Sequence, residues 1–170
     1  MIIKKILGLV ACSLFTMEMA QAVEVINENE VIYSDLDRTG WVVSASNSRD
    51  QNRAPEKAID NNLGSRWASG ILQEGGEWFM VDMRTPQSFN VIELNQGKSL
   101  MDYPRGYEVY ISNDGKNWGE AIVTGKGTEG KETVITLPKV VESRYVKIVQ
   151  TGIADGNWWS IHEFYLKMNK

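Results

Sequence analysis

Residues 102–118 read Asp102-Tyr103-Pro104-Arg105-Gly106-Tyr107-Glu108-Val109-Tyr110-Ile111-Ser112-Asn113-Asp114-Gly115-Lys116-Asn117-Trp118. From 107 to 112 the side chains alternate, with Tyr107, Val109 and Ile111 on one face and Glu108, Tyr110 and Ser112 on the other. A period of two in aromatic and β-branched residues, followed by Asn113-Asp114-Gly115, predicts a strand that ends in a turn. The same signature recurs outward in both directions: WVVSAS (41–46), EWFMVDM (77–83), FNVIELN (89–95), AIVTG (121–125), TVITL (133–137), RYVKIVQ (144–150) and WSIHEFYL (159–166). Pro86, Pro104 and Pro138 fall between the runs, Gly125, Gly127 and Gly130 punctuate one connection, and only 55–59 reads as a single helical turn. About eight short strands without a sustained helical period predict an all-β domain, an antiparallel β-sandwich or jelly roll.

Scarcity narrows the chemistry. The 170 residues carry one cysteine, Cys12, and one histidine, His162. An internal disulfide, the usual Cys/His zinc cage and a Cys-His nucleophilic dyad are therefore excluded. Ser160, His162 and Glu163 invite a triad, but on a strand Ser160 and His162 share a face from which Glu163 points away. No carboxylate pair with glycosidase spacing stands out either, so no catalytic residue is assigned and the domain is expected not to be an enzyme. Nucleic acid is an unsuitable partner, because 18 Lys and Arg are spread among 22 Asp and Glu, for a net charge of −4.

Lys4 and Lys5, an apolar run over 6–15 and Ala20-Gln21-Ala22 form an export signal over 1–22, too short to span a bilayer. Cleavage after Ala22 is one reading. Leu9-Val10-Ala11-Cys12 offers another, lipidation at Cys12, and either route leads to the periplasm, the medium or the cell surface. Residues 23–37 are acidic and irregular, a lead-in strand or tail, and 38–170 form the domain.

The stretch Lys57-Ala58-Ile59-Asp60-Asn61-Asn62-Leu63-Gly64-Ser65-Arg66-Trp67 places the oxygen side chains of Asp60, Asn62 and Ser65 in a loop that Gly64 bends. Hard oxygens at such spacing suit Ca²⁺, whereas an Asx-rich turn without metal is the plain alternative. Six to eight oxygens are needed, so a second acid must converge, and Glu163 is the natural candidate.

This loop, then Trp78 to Met83, Asp102 to Trp118, Arg144-Tyr145-Val146-Lys147-Ile148 and Trp158-Trp159-Ser160-Ile161-His162-Glu163, together resemble a coagulation factor 5/8 type C (discoidin) domain, most similar to bacterial carbohydrate-binding module family 32. The resemblance covers about residues 38–168 and implies a galactose-binding-domain-like jelly roll with a structural calcium ion. It implies as ligands the carbonyl of Lys57, the side chains of Asp60, Asn62 and Ser65, the carbonyl of His162 and the carboxylate of Glu163. Asn61 stands where the family usually has glycine, a position asparagine tolerates better than most residues. The ion would tie an early loop to the last strand as a folding clamp.

The resemblance also implies a glycan partner met by loops 47–55, 96–105 and 151–159. An aromatic ring there stacks on the apolar face of a sugar while polar side chains fix its hydroxyls. Those loops supply Arg49, Arg53, Lys98, Asp102, Tyr103, Arg105, Asn157 and Trp158, with Asp50, Asn52 and Asp155 beside them. Their charges suit vicinal hydroxyls or a carboxylated sugar. Of the six tryptophans, Trp41, Trp67, Trp78 and Trp118 are assigned to the core, and Trp159 and Trp158 diverge, the first to the core and the second to the ligand. The implied function is a non-catalytic carbohydrate-binding module, in the family often carried by a glycoside hydrolase or a cell-surface complex. The alternative is a discoidin-like adhesion domain for a protein or lipid surface, for which Leu100-Met101 would form an apolar tip. The acidic balance disfavours anionic lipid.

Overall fold

The structure is a computed structural model that describes residues 33–169. The export segment 1–22, with Cys12, and residues 23–32 of the lead-in lie outside the described residues. Within them run β1 (Tyr33–Asp35), β2 (Val42–Ala45), β3 (Trp67–Gln73), β4 (Trp78–Asn95), β5 (Tyr107–Ser112), β6 (Val123–Gly125), β7 (Glu132–Gln150), β8 (Ala154–Ile161) and β9 (Glu163–Asn169), with 3-10 turns at Gln51–Arg53 and Pro55–Ala58. Every strand pair is antiparallel. One sheet has the order β1-β9-β4-β7-β5-β6, with β2 alongside β4, and β3 and β8 form a second. The all-β sandwich read from strand periodicity is what the chain builds.

Its spine is the pair β4 and β7, matched from Trp78↔Val149 to Asn95↔Glu132. Two bulges let this long ribbon turn a corner: residues 83–86 of β4 stand opposite Arg144 alone, and 137–140 of β7 stand opposite Asn90 alone. Before the corner β4 takes β2 as its other neighbour; after it, β9. The two halves then face each other, bringing Phe79 of the first half within 5.8 Å, centroid to centroid, of Phe164 on β9. Trp67 of β3 closes the layer, 5.1 Å from Phe79 and edge-on to Trp159 at 4.9 Å. All four rings are fully buried, and such ring pairs add about 0.5–1.5 kcal/mol beyond the area they bury.

The corner also corrects the sequence reading of the prolines. Pro86 and Pro138 do not separate strands; they lie inside β4 and β7, each in a bulge where no ladder N–H is required. A second difference is β3, which the sequence pattern does not reveal because Gly70 breaks it with φ +74°, in a place where a Cβ would lie 2.7 Å from the Arg49 Cα. The run 159–166 divides at His162, where the chain leaves β8, paired with β3, for β9, paired with β4. The turn at Asn113-Asp114-Gly115 is present, but residues 113–122 intervene before β6 returns along β5. Trp41, Trp67 and Trp159 are buried as expected, whereas Trp78 and Trp118 are only half-buried. Trp118 packs edge-on to Tyr145 at 6.4 Å with the Lys147 ammonium 4.2 Å over its ring, a site at the sheet surface.

A charge clamp pins the corner. Asp82, the last residue paired before the first bulge, accepts two hydrogen bonds from Arg144, from Nε at 2.8 Å and Nη2 at 2.9 Å, and a third from the Arg84 backbone N–H at 2.8 Å. That last bond supports the left-handed Arg84, at φ +70°. The Arg144 guanidinium above all, with the Arg84 N–H, holds the Asp82 carboxyl down at about 2. A carboxyl depressed on folding stabilises fully above its ordinary titration range, and that stability is lost as pH falls toward the folded value. Thermal melts should therefore show wild type above Asp82→Asn near neutrality, with the gap closing between about pH 4 and pH 2; a gap constant across that window contradicts the clamp.

Candidate functional site

The eight residues expected to meet a ligand separate into two neighbouring groups. In the first, the Arg49 guanidinium carbon lies 4.4 Å over the ring of the half-buried Trp158. The Arg105 guanidinium carbon lies 3.7 Å over Tyr103, and its Nη2 donates to Asn157 Oδ1 at 3.3 Å. Cation–π contact thus covers one face of Trp158, and a ligand has only the other on which to stack. Opposed to it in sequence, Trp159 turns into the core, as adjacent residues on a strand must.

Two buried glutamines hold this group together. Gln73, on β3, donates from Nε2 to the carbonyls of Tyr103 and Trp158, both at 3.0 Å, and its Oε1 accepts from the Arg105 N–H at 3.1 Å and from Gln150 Nε2. Gln150 also donates to the Gly152 carbonyl at 2.8 Å. One amide therefore ties the middle loop to the last loop, and Gly152 permits their close approach, since a Cβ there would fall 2.5 Å from Arg105 Cβ. No sequence signal singles out Gln73, which stands in an unalternating stretch of a strand that the pattern conceals.

The second group lies around His162. Asp102 is held by Ser160, whose Oγ donates to Oδ2 at 2.9 Å and whose N–H donates to the Asp102 carbonyl at 3.1 Å. Arg66 approaches the same carboxylate at 3.7 Å and donates to Ser99 Oγ. Ser99 Oγ lies 3.0 Å from His162 Nε2, and His162 Nδ1 lies 2.8 Å from the Leu63 carbonyl. A carbonyl only accepts, so Nδ1 carries the proton; burial lowers the His162 pKa, leaving Nε2 to accept from the serine. Ser160 bonds Asp102 and no Ser160-His162-Glu163 relay forms. Arg53 and Lys98 line the cleft above this chain of bonds, which measures about 610 Å³ and also takes in Asn52, Lys57, Ser65 and Arg66.

The loop over residues 57–67 folds as its residue types suggest. Asn61 adopts φ +60°, the left-handed position expected of it. The Asn62 N–H donates to Asp60 Oδ1 at 3.1 Å and to Glu163 Oε1 at 2.8 Å, so the early loop and the final strand meet at one amide. Ser65 Oγ lies 2.9 and 2.7 Å from the two Asp60 oxygens and 2.9 Å from the Asn62 carbonyl. One hydroxyl proton serves at most two of three acceptors well, and such oxygen crowding is the donor set a hard cation takes. The Asn62 side chain is used differently, its Oδ1 accepting from the Gly64 N–H at 2.9 Å. Among the described residues no trio of His, Cys, Asp and Glu side chains converges on a metal position, so an ion here would draw on hydroxyl and carbonyl oxygens as well. Glu163, fully buried, has a partner that sequence reasoning missed: Arg38 pairs with its Oε2 and donates to the Phe164 carbonyl at 2.9 Å and to Asn61 Oδ1 at 2.5 Å.

Against known proteins, the F5/8 type C domain profile matches residues 42–164. A galactose oxidase of Gibberella zeae is 27% identical over 135 residues, 76% of this chain and 20% of its own length, so the chain spans about a fifth of that relative. Among solved structures, the family 32 carbohydrate-binding module from Clostridium perfringens in complex with galactose superposes with a TM-score of 0.68 at 17% identity, covering 80% of this chain and 99% of that one. The chitosan-binding module 1 of a chitosanase/glucanase from Paenibacillus sp. IK-5 gives 0.63 at 24% identity, covering 74% and 92%.

Replacing Gln73 by alanine would take this partner from the Trp158 carbonyl and the Arg105 N–H, while the Tyr103 carbonyl keeps Arg105 Nη1 and the Gln150 amide keeps the Gly152 carbonyl. Each such group costs about 1–3 kcal/mol. Urea denaturation of Gln73→Ala should show a loss of at least that size, and stability equal to wild type would mean that the amide does not hold the loops.

Proposed function

The chain belongs to the F5/8 type C domain family, and from that premise we propose that it is a non-catalytic carbohydrate-binding module. The observation that carries this reading is the convergence of the half-buried Asn157 and Trp158, which lie within β8 and not in the loop expected over 151–159, with the half-buried Tyr103 and Arg105 before β5 and the exposed Arg49, on segments that buried amides tie together. Stacking on an indole face and bonding through guanidinium and amide groups is the chemistry a pyranose offers, with an apolar C–H face and a polar rim. The galactose and chitosan ligands named for the two structural neighbours support the same class. Oxidase activity of the fungal relative is not carried over, because the match spans only a fifth of it.

The sugar would lie on the uncovered face of Trp158, its hydroxyls within reach of Asn157 and Arg105. Lys98 and Arg53 would approach from the neighbouring cleft, and Asp102 would position the middle loop through Ser160. A calcium ion in the cation loop would be held by Asp60, Asn62, Ser65 and Glu163 with the carbonyls of Lys57 and His162, and would supply structural charge compensation where loop and last strand meet. The 1–22 segment supports export, by cleavage after Ala22 or lipidation at Cys12, and a glycoside hydrolase or cell-surface complex is the natural setting for such a module. A second reading rests on Leu100 and Met101, each 45% exposed at the tip of the middle loop: adhesion to a protein or lipid surface through an apolar spike.

A glycan array with the mature domain and its Trp158→Ala variant, in calcium, tests the first reading against the second. Binding by wild type and a loss of about tenfold or more in the variant are expected, a stacking contribution of about 1.4 kcal/mol. Binding to liposomes with no binding to any glycan would overturn it in favour of the adhesion domain. For the ion, EDTA should lower the Tm, since a ligand at one hundred times its Kd adds about 2.7 kcal/mol to stability; an unchanged Tm together with no metal in the purified protein contradicts the calcium site.

A further inference from the structure

The cleft beside the stacking loops has a lining whose charge departs from that of the chain. Arg53, Lys57, Arg66 and Lys98 surround it with Asn52, Gly64, Ser65, Ser99 and His162, and no carboxylate is among the lining residues, although acids outnumber bases in the whole sequence, 22 to 18. Three acids stand behind the wall, each at more than hydrogen-bond length: Asp50 lies 3.5 Å from Arg53, Asp60 lies 3.6 Å from Lys57, and Asp102 lies 3.7 Å from Arg66. Those carboxylates are committed elsewhere. Asp60 takes the Ser65 hydroxyl, Asp102 takes the Ser160 hydroxyl, and Asp50 accepts the Asn52 N–H and is shared with Arg49.

Unspent donors remain in the wall. Lys98 is exposed and forms no ion pair among the described residues. The Nε of Arg53 is buried and bonds to nothing described, while 33% of the Arg53 side chain stays exposed. The volume, about 610 Å³, is that of a small-molecule site, and Asn52 adds a neutral amide suited to hydroxyls. The cleft shares a segment with the stacking residues: Lys98 and Ser99 line it, and Tyr103 and Arg105 follow in the same stretch, 96–105.

We propose that this cleft is an anion subsite of the domain, taking the carboxylate or sulfate of an acidic glycan between Arg53 and Lys98, so that acidic sugars are preferred over neutral ones. The inference rests on the carbohydrate-binding reading and adds the class of sugar. Arg53 and Lys98 supply the paired donors, Arg66 is fixed by Ser99, and Asn52 offers its amide to the ring that bears the anion.

Isothermal titration with three probes separates the possibilities: oligogalacturonate for a carboxylate, sulfated chondroitin oligosaccharide for a sulfate ester, and a neutral galacto-oligosaccharide of equal length. One of the acidic probes should bind at least tenfold more tightly than the neutral one, and which of them does so identifies the anion. Arg53→Gln and Lys98→Gln, both at the cleft surface, should each reduce that affinity about tenfold while leaving the Tm unchanged. Lys139→Gln, outside the cleft, should change nothing. Equal affinity for acidic and neutral probes overturns the proposal while the carbohydrate reading stands, as does a loss in Lys139→Gln matching that in Lys98→Gln, which would mark unspecific attraction of a polyanion. Failure of all three probes and of the glycan array removes both.

Discussion

His162 sits where the chain passes from one sheet to the other, and its three hydrogen bonds are the constraint on which the rest of the site depends. Its N–H is given to the Asn95 carbonyl at 2.7 Å, its Nδ1–H to Leu63 at 2.8 Å, and its Nε2 receives the Ser99 hydroxyl at 3.0 Å. One residue thereby joins the end of β4, the loop over 57–67 and the middle loop. Gly97 completes the contact: at φ +53°, a Cβ there would lie 2.7 Å from the imidazole ring, so the loop rests directly on it. This histidine is a structural junction, its N–H and both ring nitrogens engaged.

The buried charge nearby follows a similar logic. Glu163 is fully buried, and a carboxylate in that position is tolerated only when paired and hydrogen-bonded. Arg38 supplies the positive charge from the segment between β1 and β2, while the Asn62 N–H supplies the bond from the loop over 57–67. The first strand and the last are thus joined twice, by the β1–β9 ladder and by this ion pair. Any ion bound at the Asp60 loop adds to a charge balance that Arg38 has already begun.

Strand type was legible because period-two alternation is a local signal, and 107–112 forms the strand its pattern describes. Long-range geometry was not. Pro86 and Pro138 read as breaks from local propensity, yet the bulges of a paired ribbon absorb them; β3 lacks the alternation that would mark it, since Gly70 trades a side chain for close approach to Arg49. In the site, Asp60, Ser65 and Glu163 could be grouped from residue type and a family resemblance. Arg38 and Gln73 could not, because their partners lie 125 and 85 residues away and neither residue type advertises the contact. Trp158 is outward as expected, while its Arg49 cover is visible only in three dimensions.

The Gln73–Gln150 pair has a consequence for the conditions under which recognition works. Both side chains are fully buried amides, and an amide neither titrates nor attracts counterions. The link between the segments that carry Tyr103, Arg105 and Trp158 is consequently indifferent to acidity and ionic strength, in contrast to the Asp82–Arg144 and Arg38–Glu163 pairs, which a change of medium reaches.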